Sequence, residues 1–166
     1  MNFNFTMIAL AGLVPLLLGF IWFHPKVFGT AWMNAAGVTM ESKKGANMIL
    51  IFTLAYISSF FVAFSLNFNV IHQLHMYSIL ANEPGINEPN SEIGQYLSNF
   101  MAKYGSNFRT FKHGALHGTL TGVFLIFPVI GVNALFERKS FKYVAINAGF
   151  WIACFCLMGG IICGNP

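Results

Sequence analysis

The sequence has no aspartate at any of its 166 positions, and only 8% of its residues are charged. A water-soluble domain carries about 25% charged side chains, so water is not the main solvent of this chain. The missing aspartate removes Ser-His-Asp triads and paired-aspartate chemistry. No GxSxG, HExxH, P-loop or GxGxxG pattern occurs either. Cysteine is scarce: Cys154, Cys156 and Cys163 all stand in the last apolar run, form no CxxC pair, and read as small apolar fillers. The net charge of +4 comes from nine Lys and Arg spread over three loops, without the basic stripe that a nucleic-acid partner requires. These absences point away from an enzyme and from nucleic acid.

What is present is apolar length. The chain is 56% hydrophobic, with 19 Phe. Four uncharged runs, about 5–23, 46–70, 113–136 and 143–163, each reach the roughly 17–25 residues needed to cross a hydrocarbon core. They predict an all-α integral membrane four-helix bundle, one domain over residues 1–166, with the lipid bilayer as its partner. The first run is read as a span and not a signal peptide, because no basic segment precedes it and no A-x-A site follows. Pro15 and Pro128 should kink their helices, which membranes tolerate when neighbours cover the freed carbonyls.

The first span should end near His24-Pro25, where proline disfavours helical geometry at the preceding residue and Gly29 permits a bend. Trp22 and Trp32 flank that stop, and with Trp151 they are the expected headgroup-depth anchors. The 72–112 loop is rich in turn residues. Within it, Ile93, Leu97, Phe100 and Tyr104 stand at helical spacing and predict a short amphipathic helix over 92–104. Lys26, Lys43, Lys44, Arg138, Lys139 and Lys142 fall in the first and third loops, so those loops should face the cytoplasm. Both termini and the 72–112 loop then face outward.

Three groups of residues suggest roles. Gly114, Gly118 and Gly122 form two overlapping GxxxG units on one face of the third span, where another backbone can come close. Four histidines gather near one membrane face: His72 and His75 after the second span, His113 and His117 at the start of the third. Residues four apart share a helix face, and neutral imidazoles suit Zn, Cu or haem iron. The plainer reading leaves these histidines half wet at the headgroup boundary. Finally, Ser58, Ser59, Asn67, Asn133 and Asn147 are the polar members that a small-solute channel or transporter would use. No acidic or basic residue lies inside a span, which argues against ion coupling.

Gly19-Phe-Ile-Trp22-Phe-His-Pro25 followed by Phe28-Gly29-x-x-Trp32-Met33 resembles the N-terminal signature of the bacterial domain-of-unknown-function 1761 family. Asn133 to Lys139, Asn147-Ala-Gly-Phe-Trp151 and Met158-Gly159-Gly160 resemble its C-terminal half. The resemblance covers both ends well and the Asn-rich middle poorly. It implies a four-span protein of the bacterial inner membrane, similar to members from Bacteroidetes-type bacteria, and carries over no catalytic residue. The leading expectation is a cofactor-free membrane subunit or scaffold that assembles through its glycine face, as a homo-oligomer or within a larger complex. The alternative is a transition-metal or haem protein using His72, His75, His113 and His117.

Overall fold

A computed structural model describes residues 3–39, 41 and 45–165. Lys43 and Lys44 of the first basic loop lie outside the described residues. Every regular element among the described residues is helical: α1 (Phe5–Gly12), α2 (Val14–Trp22), a π-helical turn (Pro25–Gly29), α3 (Thr30–Ala36), α4 (Met48–Val70), α5 (Gln73–Ile79), α6 (Glu92–Tyr104), α7 (Phe111–Thr121), a second π-helical turn (Gly122–Ile126), α8 (Phe127–Phe136) and α9 (Phe141–Gly164). Four helical stretches are long and apolar enough to cross a membrane: Phe5–Trp22, Met48–Val70, Phe111–Phe136 and Phe141–Gly164. Phe3, Asn165 and the 72–112 loop share one end of the bundle, called here the loop end. The short 137–140 connection lies at the other.

Both prolines stand where regular α-helix is interrupted, as expected. Before Pro15 the helix breaks at Leu13, whose N–H turns to the Leu10 carbonyl at 3.1 Å. Ala9 O therefore loses its usual i+4 partner, and the Tyr56 hydroxyl of α4 donates to it at 3.3 Å. Ahead of Pro128, which supplies no N–H, the helix widens to π geometry, with Phe127 N–H bonding the carbonyl of Gly122 five residues back. The first span ends at Trp22, as expected. Gly29 is needed there for a different reason than a bend, since its φ is an ordinary −60°. A Cβ at that position would fall on the carbonyl of Phe23.

Helix α9 is the hub. Of its most apolar stretch 56% is buried inside the protein, against 22%, 17% and 11% for the other three spans in chain order. Ile8 and Ala11 of α1, Ala63, Leu66 and Val70 of α4, and Cys154, Phe155, Met158, Ile162 and Cys163 of α9 form one core. The outward faces carry Ile49, Phe61, Phe124, Leu135 and Phe136. Large apolar side chains facing out on every span are the pattern a lipid surround requires.

The glycine face of α7 does meet protein, but the protein is its own chain. A Cβ on Gly114 would strike the Gly159 carbonyl, and one on Gly118 the Phe155 carbonyl. One on Gly122 would sit 2.9 Å from Ile152 Cα. Gly159 answers from α9, where a Cβ would meet the carbonyl of Gly114. The face expected to join separate molecules is filled by α9 of the same chain.

Trp22 Nε1–H donates to Ile146 O and Trp32 Nε1–H to Asn147 Oδ1, both at 3.2 Å, so these indoles tie the first span and α3 to α9. Trp151 is the eleventh residue of the 24-residue α9, about 15 Å along it at 1.5 Å per residue. It packs on Phe150 and Phe155 at mid-helix, not at an end where a headgroup anchor belongs.

The glycine crossing yields a direct expectation. Gly118→Ala should lower stability in detergent by about 1–3 kcal/mol, the usual cost of overpacking. Gly131→Ala, where nothing lies within 4 Å of the added Cβ, should be neutral or mildly stabilising. Denaturant titration followed by circular dichroism compares the two, and equal effects would contradict the crossing described here.

Candidate metal centre at the loop end

Three of the four clustered histidines come together. α4 ends at Val70, and Ile71 is extended (φ −112°, ψ 92°), turning the chain so that His72 lies just before α5. His113 and His117 stand on successive turns of α7, whose N-terminus Thr110 caps through its hydroxyl, accepting the His113 N–H at 3.2 Å. The Thr121 hydroxyl donates to His117 O at 2.8 Å and secures the next turn. The packing of α4 on α7 carries His72 across to this pair.

His72 Nε2 and His113 Nε2 are 2.8 Å apart, one donating and the other accepting. The ring centroids lie 4.9 Å apart for His72–His113, 4.8 Å for His72–His117 and 4.4 Å for His113–His117. One ligand nitrogen from each residue falls within 4.8 Å of the others. Three nitrogens on a tetrahedral zinc ion, at Zn–N of about 2.0–2.1 Å, are about 3.3 Å apart. Small ring rotations would convert this cluster into such a set. A porphyrin fits less well, because its axial ligands sit on opposite faces of a wide disc, and these imidazoles touch one another.

His75 does not join them. Its i+3 spacing from His72 would bring both to one side only on a common helix, and His72 precedes α5 while His75 is inside it and exposed. The fifth histidine, His24, lies in the connection after α2 and accepts from Lys26 N–H at 3.2 Å.

Phe108, with its ring centroid 5.0 Å from that of His113, covers the site. It adopts φ 62°, uncommon for a bulky residue. The surrounding bonds explain why it holds: the single S–H of Cys163 is shared between Val70 O, 3.2 Å from Sγ, and Phe108 O, 3.3 Å from it. Arg109 Nε donates to Cys163 O at 3.1 Å, and Gln73 Nε2 donates to Asn107 O at 2.8 Å. Cys163 is therefore more than the filler its apolar setting suggested. Neither Phe108 nor Arg109 carried a sequence signal; the loop's path alone brings them to α9.

Burial lowers the pKa of His72, and the charges of His117 and then His75 push it further the same way. Burial also pulls Arg109 down, with Cys163 opposing.

The polar residues proposed to line a channel are scattered. Ser58 and Asn133 face outward. Asn67 bonds its own helix through Ala63 O and Phe64 O, and Asn147 bonds Tyr143 O and Trp32.

Residues 6–163 match the family described as protein of unknown function DUF1761. The chain belongs to this family. The match runs through the Asn-rich middle as well as both ends, so the loop bearing His72 and His75 lies within the region the DUF1761 family shares. No curated protein and no solved structure matches this DUF1761 chain. With its four apolar spans it is a multi-pass membrane protein of a family without a described activity.

A His72 pKa below its unfolded value means the folded state takes up that proton less readily than the unfolded chain. The neutral form stabilises the fold above about pH 6.5, the ordinary imidazole value, and that contribution is lost as pH falls below it. Chelator-treated protein should therefore lose thermal stability between pH 7 and 5. His72→Gln should flatten the profile, which melting curves across that range would establish.

Proposed function

We propose that this DUF1761 chain is a metal-binding membrane protein that holds one first-row transition-metal ion on His72, His113 and His117. The observation that carries the reading is the convergence of three imidazole nitrogens within 4.8 Å from two separate elements. An all-imidazole set suits Zn²⁺ or Cu²⁺, and three protein ligands leave a fourth position open. The reading is one of ion binding on three imidazoles. The subunit or scaffold reading loses the surface that motivated it, because α9 occupies the glycine face.

We further infer that the protein sits in a bacterial inner membrane with its loop end outward. Lys26, Arg138, Lys139 and Lys142 support this from the opposite end of the bundle. Lys139 Nζ also donates to Ala36 O at 2.7 Å, tying the two connections at that end together. The metal would then be taken from the outer side.

Protein purified without chelator should carry about one zinc or copper per chain by elemental analysis. Removing a ligand should cost at least the roughly 10–100-fold that loss of a supporting partner costs, so His113→Ala and His117→Ala should weaken Co²⁺ or Zn²⁺ binding by that factor or more. His75→Ala should leave it nearly unchanged. Equal losses in all three variants, or no binding by the native chain, would refute the site. Sidedness is checked separately: Asn90→Cys should react with a membrane-impermeant maleimide on intact cells, and Ser140→Cys only after permeabilisation.

A further inference from the structure

Beside the histidines, on different residues, the loop end encloses a cavity of about 440 Å³. That lies within the roughly 300–1,000 Å³ range of small-ligand sites. Its walls come from the start of the first span (Met7), the end of α4 and start of α5 (Ile71, Leu74), the end of α6 (Met101) and the end of α9 (Ile162). Most of that wall is apolar. Arg109 is the one ionisable side chain among the lining residues.

Its polar groups are arranged to receive something the protein does not supply. Arg109 spends one of its five N–H donors on Cys163 O, which fixes the guanidinium in place. The others have no acceptor among the described residues. Asn67 and Gln73 are 2% and 7% exposed. Each donates its amide nitrogen to backbone carbonyls, which settles which end of the amide is oxygen. Asn67 Oδ1 and Gln73 Oε1 then accept from no donor among the described residues, and both open to the cavity, since no fully buried side-chain oxygen among those residues lacks a partner. One cation, two amide oxygens open to the cavity and an apolar wall meet where the spans end.

We propose that this cavity binds the head and first chain carbons of a membrane amphiphile that carries a phosphate together with ammonium N–H donors. Arg109 takes the anion, Asn67 and Gln73 accept from the donors, and Met7, Leu74, Met101 and Ile162 cover the carbons. The proposal does not depend on the metal site.

The probe is lysophosphatidylethanolamine added to the full chain in a neutral alkyl maltoside, with bound lipid counted by native mass spectrometry. Arg109→Gln should weaken binding about tenfold or more, the worth of a charge-assisted hydrogen bond. Met101→Trp, which fills the cavity and leaves Arg109 in place, should do the same. The native chain alone gives a further reading: lysophosphatidylcholine keeps the phosphate but lacks the N–H donors and should bind several-fold more weakly. Equal binding of the two lipids would overturn the roles of Asn67 and Gln73. Competition by inorganic phosphate with ethanolamine as effective as by the lipid would show a site for a free anion and overturn the amphiphile. Lipid counts unchanged by both substitutions, or no bound lipid, would overturn the site altogether.

Discussion

Where α7 and α9 cross, the two backbones lie so close that no side chain fits between them at Gly114, Gly118 and Gly159. Lipid is as apolar as leucine, so spanning helices gain little from burying oil against oil and depend on close packing. The glycines make that packing possible, and everything at the loop end depends on the position it fixes. With α7 seated on α9, His113 and His117 are held at a set height and rotation. With α4 seated on α9 and α1, the chain leaves its second span at Val70 aimed so that His72 completes the group.

The loop end is then closed by polar bonds instead of apolar contact. Cys163, near the end of α9, shares its one S–H between carbonyls of two other segments, and its own carbonyl accepts from Arg109. A thiol is a weak donor, but two carbonyls left bare in an apolar setting would cost more than the bond contributes. The same contacts hold Phe108 in its left-handed conformation over His113 and hold Arg109 at the rim of the neighbouring cavity. One cysteine thus connects the imidazole cluster to the Arg109 cavity.

The fold was readable because hydrophobic length in a bilayer leaves few alternatives: an unbroken apolar run must satisfy its backbone internally, and a helix does so. Span limits, the two proline kinks and the helix over 92–104 follow from that rule and from local chemistry. The glycine stripe was readable as a contact surface, but its partner was not, since GxxxG looks the same whether the facing helix belongs to one chain or to another. The histidine group was readable in part. The i+4 pair on α7 follows from helical geometry, while choosing His72 over His75 required knowing that the helix stops at Val70 and resumes at Gln73.

By itself the sequence determined the solvent, the number of crossings and the residues able to ligate a metal, because these depend on composition and on spacing along a single helix. Only the tertiary structure decided that α9 is the hub, that the glycines are used within the chain, and that Arg109 and Cys163 close the loop end. Each of those is a contact between segments far apart in sequence, set by how helices pack and not by any local preference.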